Sequence, residues 1–106
     1  MTELPPKSVT TGTTPVTQLF VVNHALPWHL IVQNTAGGAL TALRLRSRTH
    51  ANGPWTPWEN VTSGLPVSEG HTISLVEIHT LAQAIEVELT AASAGAATLW
   101  WVGAPR

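Results

Sequence analysis

The chain contains no cysteine, no aspartate and no tyrosine. Without cysteine there can be no disulfide staple, no thiolate metal site and no thiol nucleophile, so stability has to come from packing. Charge is scarce as well: charged residues make up 10% of the sequence, against roughly 25% in an average soluble domain. The five lysines and arginines nearly balance the six glutamates, for a formal charge of -1, which gives no electrostatic footprint for nucleic acid or an anionic membrane. No apolar run approaches a membrane span, and Met1-Thr2-Glu3-Leu4-Pro5-Pro6-Lys7 lacks the basic start and apolar stretch of a secretory signal. These features predict a soluble protein made in the cytoplasm. Few ionised groups also mean little repulsion between copies, which suits residence in an assembly.

At 106 residues the chain fits one domain, able to bury roughly two-thirds of its unfolded surface. Hydrophobic residues reach 43%, and the polar remainder is rich in threonine, whose branched β-carbon favours strands. Residues 1–15 hold Pro5, Pro6, Gly12 and Pro15 among threonines and few apolar residues, which reads as an extended N-terminal arm. From residue 16 onward, short apolar runs alternate with turn signals, the spacing of a sandwich or barrel. The runs around Phe20-Val21-Val22 and Trp28–Gln33 are apolar at consecutive positions, which fits burial on both faces. Asn34-Thr35-Ala36-Gly37-Gly38 reads as a hairpin turn. In the next run Leu43, Leu45 and Ser47 share one side while Arg44, Arg46 and Arg48 share the other. Ile73 and Leu75 differ in parity from Val76 and Ile78, which predicts a bulge near Leu75. Ile85, Val87 and Leu89 alternate with Glu86 and Glu88, a strand pattern despite good helix formers nearby. The fold class expected is therefore all-β: a small antiparallel β-sandwich, immunoglobulin-like or jelly-roll-like, over residues 16–106.

The inventory for chemistry is thin. Glu86 and Glu88 share a strand face, but a solvated face explains them. His71 and His79, about 26 Å apart along one strand, cannot bind one ion together, while His24, His29 and His50 lie in or beside turns. No phosphate-cradling glycine loop or nucleophile elbow is present, and Asn60-Val61-Thr62 matches a glycosylation acceptor by chance. The reading is a non-enzyme without catalytic residues, metal or cofactor.

Two features stand out instead. Arg44, Arg46 and Arg48 line one strand face, to be met by Glu86 and Glu88 on a neighbouring strand, by an acidic surface of another subunit, or by phosphate. The five tryptophans far outnumber the single phenylalanine. Trp55 and Trp58, in a Pro/Gly loop, could anchor that loop or form a sugar-stacking platform. Trp100 and Trp101 are adjacent, so a strand sends them to opposite faces, one of which must be covered from outside.

The segment Leu30–Leu43, with its strand, Asn-Thr/Gly turn and strand, resembles the hairpin of immunoglobulin-like and related sandwiches. With the Pro-rich arm, the missing cysteines and the low charge, the chain is similar in style to small accessory virion proteins of tailed bacteriophages, of the head decoration or cement kind. That resemblance implies a structural protein of the virion that binds itself or a major capsid protein, forms a homo-oligomer, and clamps neighbours with residues 1–15. Arg44, Arg46, Arg48, Trp100 and Trp101 are the interface candidates. The alternative is a lectin-like module binding glycan through Trp55 and Trp58.

Overall fold

The computed structural model describes residues 2–77 and 81–104. Eight strands follow in chain order: β1 (Thr2–Thr11), β2 (Val16–Val21), β3 (Trp28–Gly37), β4 (Leu40–Arg48), β5 (Glu59–Asn60), β6 (Thr72–Glu77), β7 (Ala84–Ala91) and β8 (Gly95–Gly103). They form two four-stranded antiparallel sheets, ordered β1-β8-β3-β6 and β2-β7-β4-β5. No helix occurs among the described residues.

This order separates the two sandwich types left open by the strand count. The pairs β1 with β8, β2 with β7, β3 with β6 and β4 with β5 are the rungs of one long two-stranded ribbon. Folding that ribbon over itself adds the pairings β3 with β8 and β4 with β7. The result is a jelly roll. Every connection except β4 to β5 passes from one sheet to the other, so the Asn34–Gly38 turn closes no hairpin. It is an arch between sheets, matched by the arch at Ala92-Ser93-Ala94-Gly95. The turn signals were genuine, but the same residues serve an arch as well as a hairpin. The two arches touch so closely that a Cβ on Gly37 would lie 2.2 Å from the Ala94 carbonyl oxygen, and one on Gly95 would lie 2.1 Å from that of Ala36. Gly37 also sits at φ +83°, where glycine alone is unstrained. The buried Asn34 secures this arch by donating from Nδ2 to the carbonyls of Val67 (2.9 Å) and Gly38 (3.1 Å).

The core forms between the inner faces. Ile85, Val87 and Leu89 of β7 meet Leu30 and Val32 of β3 and Leu99 and Trp101 of β8. Fully burying each such side chain stabilises the fold by roughly 1.5–3 kcal/mol relative to exposure. The runs expected to be buried on both faces bury only one: Phe20 and Val22 point inward while Val21 is 42% exposed. In β3, Trp28, Leu30 and Val32 are buried while His29 and Ile31 are half-covered. The bulge expected near Leu75 is also absent. β6 pairs with β3 in unbroken register from Gln33↔Thr72 to Trp28↔Glu77, with Val76 left on the outer face; Ile78 lies outside the described residues.

The N-terminal segment is no detached arm. Along its length β1 pairs with β8, from Thr2↔Gly103 to Thr11↔Gly95, and it forms one edge of its sheet. Leu4 and Val9 pack against the core from the inner side of this strand. Few apolar residues are enough here, because an edge strand needs only alternate contacts and β8 supplies the backbone ladder. Pro5 and Pro6 fall at the one register shift of that ladder, between Leu4 and Lys7, a position where the missing N–H groups cost no pairing.

Candidate functional site

The outer face of the β2-β7-β4-β5 sheet carries the arginine stripe. Arg44, Arg46 and Arg48 alternate outward along β4, opposite Glu88, Glu86 and Ala84 of β7. Residues two apart on one strand face are spaced about 6.6 Å, close to twice the about 3.5 Å of a van der Waals contact. An indole therefore fits between successive guanidinium groups. After β4 the chain turns at His50–Gly53 and runs back beside it. Thr56 N–H donates to the Ser47 carbonyl (2.8 Å) and Ser47 N–H to Thr56 Oγ1 (3.0 Å), which fixes the returning segment alongside the strand. Trp58 then lies against Arg44 (4.6 Å from guanidinium carbon to ring centroid) and Arg46 (4.5 Å), and Trp55 against Arg46 (4.9 Å) and Arg48 (4.8 Å). The order along the face is Arg44, Trp58, Arg46, Trp55, Arg48.

The same arginines are held by β7 and by Gln83, the residue just before it. Arg44 Nε donates to Glu88 Oε1 at 2.6 Å, Arg46 donates to Glu86 Oε1 from Nη2 (2.6 Å) and Nε (2.8 Å), and Arg48 Nε donates to Gln83 Oε1 at 3.0 Å. The hydrogen bond to Glu88 holds the Arg44 guanidinium above its ordinary value. Glu86 and Glu88 thus each have an arginine of their own, which leaves no free carboxylate pair.

The internal partners foreseen for the stripe are in place for Arg44 and Arg46. Trp55 and Trp58 are half-buried, each with two guanidinium groups against its ring. These contacts tie the loop to β4. The ladder itself was missed in the sequence, although its signal was there in arginines at period two followed within ten residues by W-x-x-W.

Trp100 and Trp101 do separate to opposite faces. Trp101 is 2% exposed and belongs to the core, its indole lying over Gly103, where a Cβ would come within 2.6 Å of Cη2. As an interface candidate it is corrected to a packing residue, since β8 directs odd-numbered side chains inward. Trp100 is 46% exposed on the outer face of the β1-β8-β3-β6 sheet. It stands directly opposite Ile31 of β3, and Val76 of β6, 66% exposed, lies on the same face. A shallow groove of about 360 Å³ beside Trp100 is lined by Leu4, Pro6, His29, Ile31 and Val102. His29 Nε2 and Ser74 Oγ, 2.5 Å apart, form a hydrogen bond at its margin. This face is apolar at its centre and polar at its rim, the usual make-up of a docking surface.

Among the described residues no cluster of three histidines or glutamates is placed to hold a metal ion; His79 lies outside them. Within the same residues, no helix is long and apolar enough to cross a membrane.

No protein-family model and no curated protein sequence matches the chain. Among solved structures it is similar to PirA, with a TM-score of 0.57 and 15% identity over 92% of this chain and 93% of that one. It is also similar to a chain in the structure of infectious bursal disease virus, Gx strain, with a TM-score of 0.47 and 10% identity, over 92% of this chain but 29% of the viral one. At 15% identity the likeness to PirA is one of fold alone.

Proposed function

We propose that the chain is a non-enzymatic structural domain of a larger assembly, in the manner of an accessory virion protein. In this reading it seats on a neighbouring subunit through the outer face of the β1-β8-β3-β6 sheet. The observation that carries the reading is Trp100, 46% exposed in an apolar setting with Ile31, Val102 and Val76. Exposed apolar side chains are normal one at a time, but a contiguous group with a tryptophan at its centre marks an interaction surface. The opposite outer face supports this choice, because its arginines and tryptophans are already engaged with one another. The jelly roll serves both capsid proteins and lectins, so the fold by analogy permits a virion role without selecting it. Low charge and the style shared with phage decoration proteins favour the virion.

The test is sedimentation of a tagged chain expressed in the cells that naturally make it. It should travel with a large particle and not as a free 11.3 kDa chain. A Trp100→Ser variant should return to the top of the gradient while keeping its fold. Parent chain found only at the top, together with specific binding on a glycan array, would replace this reading with the lectin one.

A further inference from the structure

The strand β2 is one of four sheet edges, with Pro5 and Lys7 of β1 beside its Leu19 and Val21; β6, also six residues, carries Glu77 at its end. The opposite edge of its sheet is the two-residue β5, and the neighbouring edge β1 is interrupted by Pro5 and Pro6. β2, by contrast, is six residues, Val-Thr-Gln-Leu-Phe-Val, with no proline and no charge. Natural sheets protect such edges with lysine, proline or a bulge, and β2 has none of these.

The register shows which backbone groups are unused. Val22 follows Val21↔Ala84 and so faces Gln83, to whose carbonyl its N–H donates at 2.9 Å. Antiparallel pairs alternate between hydrogen-bonded and non-hydrogen-bonded residues. Val22, Phe20, Gln18 and Val16 therefore spend their backbone groups on β7, while the N–H and C=O of Thr17, Leu19 and Val21 point out of the sheet edge. The Gln18 side chain bears this out, since its Nε2 reaches round to donate to the Leu19 carbonyl at 3.2 Å. The same three residues also carry the outward side chains, and two of them are exposed apolar groups, Leu19 at 40% and Val21 at 42%.

We infer that this edge pairs with the β2 edge of a second copy, antiparallel about a twofold axis at Leu19. In that register Leu19 faces the second copy's Leu19, and Thr17 faces the second copy's Val21. Opposed residues then all belong to the set whose backbone groups point out of the edge, so the pairing forms about six hydrogen bonds, with Gln18 Nε2 giving up or sharing the Leu19 carbonyl, and joins outward side chains to outward side chains. A shift of one residue would set outward groups against inward ones. A second copy is the occupant because the edge is complementary to itself, apolar against apolar with no charge to repel. The product is a continuous eight-stranded sheet, independent of the Trp100 face on the other sheet.

Cysteine cross-linking of the full chain tests the register cleanly, because the parent has no cysteine. Cα atoms of a hydrogen-bonded antiparallel pair lie about 5.5 Å apart, within the range a disulfide can bridge. In the inferred dimer the two Thr17 residues are offset by four positions, about 13 Å along the strand. Under mild oxidation Leu19→Cys should convert largely to a disulfide-linked dimer, while Thr17→Cys should pair without forming the link. Light scattering after size exclusion should give twice the chain mass for the parent and for Trp100→Ser, and the single-chain mass for a folded Leu19→Lys. A parent that is monomeric at every concentration, a dimer that persists in Leu19→Lys, or equal cross-linking of the two cysteine variants would overturn the inference. The Trp100→Ser chain keeps this test separate from the docking reading.

Discussion

Arg46 is the centre of the ladder, and replacing it with alanine measures what the ladder is worth. The residue contacts both indoles, at 4.5 and 4.9 Å, and donates twice to Glu86. A partly exposed cation–π contact contributes about 0.5–1 kcal/mol, so two contribute about 1–2. The ion pair, with its side chains 29% and 18% exposed, is screened and adds only about 0.2–1 kcal/mol. Glu86 would also lose its counter-charge. The expected loss is about 1.5–3 kcal/mol, which for a domain near 100 residues corresponds to a fall in Tm of about 8–15 °C. Urea unfolding followed by tryptophan fluorescence gives the number directly, since the indoles report the ladder. Arg46→Lys should recover only part of the loss, because lysine keeps the charge but not the planar group that lies on the rings. A loss below about 0.5 kcal/mol, within the ordinary range for surface substitutions, would refute the ladder as a stabilising element.

Three further outcomes follow from the fold. Deleting residues 1–11 should unfold or aggregate the chain, because it strips β1 from β8 and uncovers the core beneath Leu4 and Val9; circular dichroism and solubility would show it, whereas a detached arm could be removed without effect. Gly37→Ala should lower stability by more than about 1 kcal/mol through strain at positive φ and the close approach of Ala94, while Gly70→Ala, at φ +82° but with open space around its Cβ, should cost less in the same denaturation assay. Leu99→Ala should cost about 2–5 kcal/mol for the cavity it leaves, readable as a lower denaturation midpoint with an unchanged m-value.

Much of this structure was legible in the residues. The alternation of Ile85, Val87 and Leu89 with glutamates marked β7, and the opposing arginine and glutamate rows foretold the pairing of β4 with β7. Sequence could not distinguish a hairpin from an arch at Asn34–Gly38, because both need residues that tolerate tight turns and only the partner of each strand separates them. β1 was obscured for a related reason: an edge strand borrows its ladder from β8, so its own composition carries little trace of order. The ladder was hidden because its halves lie on different elements, and only the return of the loop along β4 interleaves them. For Trp100 and Trp101, adjacency fixed opposite faces, but which one faced the core depended on the parity of β8.

The proposed docking role requires the outer face around Trp100 to be covered by a protein neighbour. Oxidative footprinting of Trp100, compared between the free chain and the particle isolated from its source cells, tests this directly. Trp100 should label readily in the free chain and become several-fold less reactive in the particle, with buried Trp101 unreactive in both. Equal labelling of Trp100 in the two states would contradict it.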